Sequence, residues 1–161
     1  MSKLVKVGMA DLQVVKHPDA LTTLGLGSCI GICLFDPTSK VAGMAHIMLP
    51  SSEAIRNNSN KAKFADTAIH VLIEEMEKSG ANRRRLVSKI AGGAQMFSFS
   101  SSNNTMKIGE RNAEAVRLLL KDLRIPLKAD DTGGSIGRTI EFYSDDGKLI
   151  VKTAGKGIKE L

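Results

Sequence analysis

Apolar residues recur along this chain in two patterns, one typical of β-strands and the other typical of amphipathic helices. Residues 30–35 and 41–50 are apolar, and the turn sequence 36–40 joins them, which predicts a hairpin of two buried strands. In residues 64–79 and again in 109–123, apolar side chains repeat at helical spacing, which predicts two amphipathic helices. Further strands are predicted at 4–9, 12–16, 21–24, 86–91, 127–129, 138–143 and 148–153.

These elements predict an α/β fold, a layered sandwich of mostly antiparallel strands with two main helices covering a face. Residues 1–161 suit a single domain with one core. Ser- and Asn-rich sequences predict surface loops at 51–63 and 98–104, and the first could equally be a flap over a site. We also predict a turn at 130–134 and a frayed tail from about residue 155.

The positive net charge of the chain is compatible with binding to nucleic acid, and it fits an anionic protein partner equally well. Twenty-three basic residues against seventeen acidic ones give a net charge of +6. The basic residues are spread along the chain and cluster only at 83–85, and with one Tyr and no Trp there is no aromatic interleaving. We therefore predict no nucleic-acid binding. No apolar run is long enough for a signal peptide or a membrane span, so we expect a cytoplasmic protein with no membrane insertion.

The chain has two cysteines, Cys29 and Cys33, and four residues of extended strand would hold them too far apart to bridge easily. One histidine near them is too few ligands for a zinc site, and the adjacent Asp130 and Asp131 lack a third oxygen cluster for a hard cation. We therefore predict no metal and no cofactor. Cys33, flanked by Ile32 and Leu34, has the surroundings of a small core residue.

Cys29 has a different setting, because a glycine-rich turn precedes it and an apolar strand follows it. Backbone amides near Gly27 and Ser28 could hold an oxyanion that forms beside the thiol. A thiol also needs a base, and His46 is the candidate. Cys29 lies nine residues before Thr38 and His46 eight residues after it, so a hairpin about that turn would place them nearly opposite. The residues alone leave a core thiol and a nucleophile equally supported.

Five motifs in order resemble the CheD family of chemoreceptor glutamine deamidases. They are TLGLGSC at 23–29, AHIMLP at 45–50, AGGAQMF at 91–97, IGERN at 108–112 and DTGG at 131–134. The similarity extends from about residue 7 to about residue 151. It implies a catalytic set of Cys29, His46 and Thr23, although Thr22 is adjacent and could serve in place of Thr23.

The resemblance also implies a reaction, substrates and partners. A Cys29 thiolate would attack glutamine side chains on the cytoplasmic helices of methyl-accepting chemotaxis receptors, giving glutamate and ammonia. The family implies binding to CheC, a phosphatase of the response regulator CheY, and a three-layer sandwich similar to the deamidating cytotoxic necrotizing toxins. An alternative function is a non-catalytic or weakly catalytic binding module that regulates CheC or the receptor array. For recognition of the receptor substrate, Lys61 and Lys63 could meet acidic side chains on the receptor helices.

Overall fold

The computed structural model describes residues 2–53, 56–95 and 107–161. Within these ranges, ten strands form two five-stranded sheets and two α-helices pack beside them. The helices are α1 (Ala65–Lys78) and α2 (Ile108–Asp122). The strands are β1 (Leu4–Lys6), β2 (Leu12–Lys16), β3 (Ala20–Leu26), β4 (Ile30–Asp36), β5 (Val41–Ile47), β6 (Val87–Gly92), β7 (Leu127–Thr132), β8 (Arg138–Tyr143), β9 (Leu149–Thr153) and β10 (Gly157–Glu160).

The two sheets differ in what covers them. The helix-covered sheet has the strand order β2-β5-β4-β6-β7, and α1 and α2 pack on one of its faces. The outer sheet has the order β1-β3-β8-β9-β10 and packs against the opposite face. Strand pairs β1–β3 and β6–β7 are parallel, and the other pairs in both sheets are antiparallel.

The result is a layered α/β sandwich, and the predicted fold class is confirmed. Strand β4 is buried along its whole length because both of its faces are covered. Its alternate side chains therefore enter two different apolar clusters, with Ile32 on the helix side and Cys33 on the side of the outer sheet. This double burial explains why the sequence of β4 is a continuous apolar run rather than an alternating one.

Two segments near the carboxyl end differ from the prediction. Strand β7 continues to Thr132, into the predicted turn at 130–134, because its backbone pairs with β6 as far as Gly92. The Asp130 carboxylate in this extension forms an ion pair with Arg117 at 2.7 Å. From about residue 155 the predicted frayed tail instead forms β10, because its backbone groups pair with those of β9.

The predicted loop at 98–104 lies outside the described residues, as do Met96 and Phe97 of the AGGAQMF motif at 91–97. Neither described helix combines the length and the apolar composition needed to cross a lipid bilayer.

Candidate active site

The turn 27–29 carries the chain from one sheet to the other, since β3 belongs to the outer sheet and β4 to the helix-covered sheet. Cys29 ends this turn, and it is 7% exposed among the apolar side chains between the sheets. The ladder between β4 and β5 begins one residue later, at the pair Ile30 and Ile47. Cys29 therefore lies just outside the regular hydrogen bonding of the sheet.

All three carbonyl oxygens of the turn 27–29 accept hydrogen bonds from later parts of the chain. The donors to residues 27, 28 and 29, in that order, are Ala94 N–H at 2.8 Å, Asn112 Nδ2 at 2.9 Å and Gly93 N–H at 2.9 Å. Gly92 has a φ of 116°, and a Cβ atom at that position would collide with Cys29 O. Glycine is therefore required where the end of β6 closes on the backbone of the cysteine.

The amide groups of the same turn are engaged differently. Gly27 N–H donates to Gly25 O at 3.0 Å. Within the described part of the chain, the N–H groups of Ser28 and Cys29 donate to no other residue. Free amides beside a thiol are the groups that can stabilise negative charge on a carbonyl oxygen under attack. The Ser28 N–H meets that requirement, and the Cys29 N–H interacts with the sulfur of its own side chain, whereas the Gly27 N–H already has an acceptor.

His46 lies on β5, where it is 1% exposed, and its ring contacts the outer sheet. The Nδ1 atom of His46 lies 2.7 Å from Thr23 Oγ1, which also lies 2.7 Å from Val7 O. A backbone carbonyl can only accept, so the Thr23 hydroxyl donates to Val7 O and accepts from Nδ1–H of His46. This network assigns the ring proton to Nδ1 and leaves the lone pair on Nε2.

Nε2 of His46 is buried and has no hydrogen-bond partner among the described residues. A buried polar atom without a partner is costly, and such atoms are frequent at functional sites. Thr22, the other threonine considered from the sequence, donates its hydroxyl to Ile140 O at 2.8 Å. The threonine that contacts His46 is therefore Thr23.

The hairpin brings Cys29 and His46 to the same end of the space between the sheets. His46 pairs with Gly31, which lies two residues beyond Cys29. Because alternate residues of a strand share a face and paired residues face the same side, His46 and Cys29 both point between the sheets. The turn is centred just beyond Thr38, so His46 lies diagonal to Cys29 and not directly opposite it.

Burial favours the uncharged form of both the Cys29 thiol and the His46 imidazole. It raises the pKa of Cys29, against a smaller lowering effect of its own backbone N–H. It also lowers the pKa of His46 below the ordinary value for histidine. At neutral pH the resting pair is therefore a thiol and a neutral imidazole. Such a pair can transfer a proton from sulfur to Nε2 as the sulfur attacks a carbonyl carbon.

Arg138 ties the two sheets together behind the cysteine turn. Its guanidinium donates to Gly92 O at 3.0 Å and to Gly133 O at 2.9 Å, and it is paired with Asp131 at 3.3 Å. Asp130 and Asp131, considered as metal ligands from the sequence, thus bind arginine side chains. In the part of the chain that is described, no group of three or more His, Cys, Asp or Glu side chains is arranged to hold a metal ion.

Sequence reasoning missed one residue of the site, Asn112 on α2. Its amide nitrogen donates to Ser28 O and to Met48 O, each at 2.9 Å, and its side chain is fully buried. The signal was present in the helical pattern, because Asn112 lies four residues before Val116 on the apolar face of α2. A polar residue on a buried helix face needs a partner inside the protein.

The fold and the site together define a layered α/β protein with a thiol, an imidazole and a hydroxyl at one end of two facing sheets. A family model described as "CheD chemotactic sensory transduction" matches residues 48–153, more than half of the chain. The chain belongs to the CheD family.

Relatives with similar sequences match the whole chain. A protein from Caldanaerobacter subterraneus subsp. tengcongensis named "Probable chemoreceptor glutamine deamidase CheD" is 63% identical over 160 residues, which cover 99% of each chain. One of the same name from Lachnoclostridium phytofermentans is 55% identical and covers 100% of each. The "Chemoreceptor glutamine deamidase CheD" of Halalkalibacterium halodurans is 53% identical, again over 100% of each.

Proposed function

We propose that this protein is a chemoreceptor glutamine deamidase in which Cys29 is the nucleophile, His46 the general base and acid, and Thr23 the residue that orients His46. The observation that carries the proposal is the state of the His46 ring. Its Nδ1 is bound to the Thr23 hydroxyl, and its Nε2 is buried without a described partner at the end of the sheet where Cys29 lies. The names of the full-length relatives agree with this activity.

In the first half of the reaction, the Cys29 sulfur attacks the carboxamide carbon of a glutamine side chain while Nε2 of His46 takes the thiol proton. A carbon–sulfur bond forms, and the carbonyl oxygen becomes an oxyanion. The N–H groups of Ser28 and Cys29, which donate to no other described residue, are the groups that would stabilise it. When the carbonyl re-forms, the carbon–nitrogen bond breaks and His46 gives its proton to the nitrogen. Ammonia is released, and the substrate remains bound to Cys29 as a thioester.

In the second half, His46 takes a proton from a water molecule that attacks the thioester carbon. The carbon–sulfur bond then breaks, and the proton returns from His46 to the Cys29 sulfur. The products are a glutamate side chain and the free thiol, so the net change is hydrolysis of one amide. Thr23 acts throughout by holding Nδ1, which keeps Nε2 available for each proton transfer.

The substrate we propose is a glutamine on the helical cytoplasmic region of a chemotaxis receptor. The net charge of +6 suits a partner with acidic side chains on its helices. Binding to CheC stays a prediction from the resemblance, as does a purely regulatory role without catalysis.

Incubation with a receptor cytoplasmic fragment tests the proposal. We expect release of ammonia together with the small rise in fragment mass that replacing NH2 by OH produces at each modified glutamine. The matched controls are Cys29→Ser and Cys33→Ser, which change the same atom at two positions four residues apart. Deamidation by the Cys29→Ser protein at the wild-type rate would overturn the mechanism, and no deamidation by the wild type would favour the regulatory role.

A further inference from the structure

Asn112 is a fully buried amide that bonds to two segments of the site at once. Its Nδ2 atom donates to Ser28 O and to Met48 O, both at 2.9 Å. Carbonyl oxygens can only accept hydrogen bonds, so the side-chain NH2 of Asn112, which has two donor hydrogens, must be the group that faces them. This fixes which end of the side-chain amide is nitrogen and which is oxygen. The Oδ1 atom is buried and has no partner among the described residues.

The two carbonyls lie where the hairpin loses its own hydrogen bonds. The ladder between β4 and β5 ends at the pair Ile30 and Ile47. Ser28 and Met48 lie beyond that pair, Ser28 before the start of β4 and Met48 after the end of β5. Asn112 therefore joins the strands at the point where backbone pairing stops. A bond across this gap limits how far the two strand ends can separate.

Each carbonyl is close in sequence to a reacting group of the proposed mechanism. Ser28 immediately precedes Cys29, and Met48 follows His46 by two residues. One side chain thus contacts the backbone beside the nucleophile and the backbone beside the base.

Helix α2 is itself held close to the cysteine turn, so Asn112 has a rigid support. A Cβ atom at Gly109 would lie 2.5 Å from Gly93 O and 2.6 Å from Ala94 O, which is closer than any side chain allows. The N–H groups of the same two residues bind the carbonyls of Cys29 and Gly27. The first turn of α2 therefore keeps a fixed position relative to the thiol.

We propose that Asn112 is a positioning residue that sets the separation between the Cys29 thiol and the His46 imidazole. This inference rests on the proposed function, since it assigns a role within the same Cys–His pair. Asn112 does not touch the reacting atoms. It acts through the two backbone segments that carry them, and misplacement of reacting groups by about 1 Å can cost on the order of 100-fold in rate.

The test replaces Asn112 by Leu, which has a similar branched shape and no donors, and by Ser, which keeps one donor. Val116→Ala is the matched control, because Val116 is a buried residue on the same face of α2 but has no bond to the site. For the Leu variant we expect kcat on receptor fragment to fall about 10- to 100-fold with KM changed less than about 2-fold. Val116→Ala should lower Tm and leave kcat unchanged.

A second readout does not depend on the receptor. The rate at which iodoacetamide modifies Cys29 is measured against pH in the wild type, in His46→Ala and in the Asn112 variants. We expect the profile of Asn112→Leu to move toward that of His46→Ala, with Asn112→Ser between Leu and the wild type. Val116→Ala should retain the wild-type profile, because loss of packing alone does not separate the sulfur from the imidazole.

The outcomes separate the two proposals. If His46→Ala has the wild-type alkylation profile, the Cys–His pair of the proposed function fails. If His46→Ala differs while Asn112→Leu matches the wild type in both alkylation and kcat, the pair stands and the positioning role of Asn112 is overturned. Failure of both Asn112 variants to fold would also overturn it, since the residue would then maintain the fold rather than the spacing of the pair.

Discussion

Cys29 and Cys33 lie four residues apart and are both buried in the apolar cluster between the two sheets. Cys33 is inside β4, paired with Met44 on one side and Lys89 on the other, and it is fully buried. Cys29 lies one residue before the ladder, where carbonyls are held by Asn112 and by the loop after β6. The two thiols thus share a chemical type and a cluster, and they differ in backbone surroundings.

Burial alone does not distinguish the proposed nucleophile, Cys29, from the core thiol of Cys33. Burial raises the pKa of both thiols, so the direction of the shift does not separate them. At Cys33 the neighbouring backbone groups are committed to the sheet, and none can turn toward a substrate. At Cys29 the N–H groups of residues 28 and 29 donate to no other described residue, and a histidine whose Nε2 has no described partner faces the same space. The position of Cys29 at the end of the ladder is therefore what supports it, rather than Cys33, as the proposed nucleophile.

The largest expected effect comes from changing each cysteine in turn. Cys29→Ala should reduce deamidation at least about 1,000-fold, because no other group replaces the nucleophile, and it should change stability little. Cys33→Ala should keep the activity and lower the free energy of unfolding by about 1 kcal/mol, because it truncates a fully buried side chain. Ammonia release and urea unfolding measure the two effects. Loss of activity in both variants would contradict the assignment of Cys29 as the nucleophile and Cys33 as a core residue.

A smaller effect is expected at the threonine that orients His46. Thr23→Val removes the hydroxyl from His46 Nδ1 and from Val7 O with little change in shape. A hydrogen bond to a charged group, worth roughly 1.5–3 kcal/mol, corresponds to about a 10- to 150-fold loss in kcat if it acts on the proton transfer.

Thr22→Val is the neighbouring control, because it removes only a bond to Ile140 O on the outer sheet. We expect this variant to keep kcat within about twofold, since its hydroxyl does not reach His46. Equal losses of kcat in the two variants, measured well below their Tm values, would contradict the assigned role of Thr23.

The pH dependence tests the resting state of the pair. Burial lowers the pKa of His46 in the folded chain, whereas in the unfolded chain it returns to about 6.5. As pH falls below about 6.5, the unfolded chain binds a proton that folded His46 does not bind, so stability declines by at most about 1.4 kcal/mol per pH unit. That stability is fully present above this range.

The same shift predicts that activity survives mild acid. In the proposed mechanism neutral His46 is the base, so the acid limb of kcat/KM should lie below pH 6.5. His46→Gln should weaken the acid dependence of stability, as measured by urea unfolding at a series of pH values. An acid limb of kcat/KM above pH 7 would show that the imidazole carries a proton in the resting enzyme and would contradict the neutral pair.

The smallest effect is expected at the lysines after the His46 strand. Backbone N–H groups of Met48 and Leu49 donate to Lys63 O, so this segment lies beside the site. Lys61→Glu with Lys63→Glu should lower kcat/KM on receptor fragment about two- to tenfold at low salt and leave alkylation of Cys29 unchanged.

A control with the same change of charge is Lys16→Glu with Lys78→Glu. Lys16 pairs with Val41, at the opposite end of β5 from His46, and Lys78 ends α1. We expect this pair to affect kcat/KM less than the pair at 61 and 63, because charges far from the site contribute less to a specific encounter. Equal reductions of kcat/KM in the two double variants would mean that the net charge of the protein, and not the position of Lys61 and Lys63, determines the effect.

The sequence by itself determined the features that depend on nearby residues. The hairpin that relates Cys29 to His46 follows from two apolar runs and a short turn, and it formed with a register close to the predicted one. The apolar faces of both helices could also be predicted from the sequence, because the helical and strand periods are properties of local chain geometry. The sequence also indicated Cys29, rather than Cys33, as the candidate nucleophile, because a glycine-rich turn precedes Cys29.

Only the tertiary structure decided which groups meet across layers. The choice of Thr23 over Thr22 depends on which threonine faces β5, and the role of Asn112 depends on a contact between α2 and two strand ends. The Gly27 amide turned inward to Gly25, and the residues expected to fray paired with β9. These contacts join segments far apart in the chain, so they are set by how whole sheets and helices pack, and no local pattern encodes that packing.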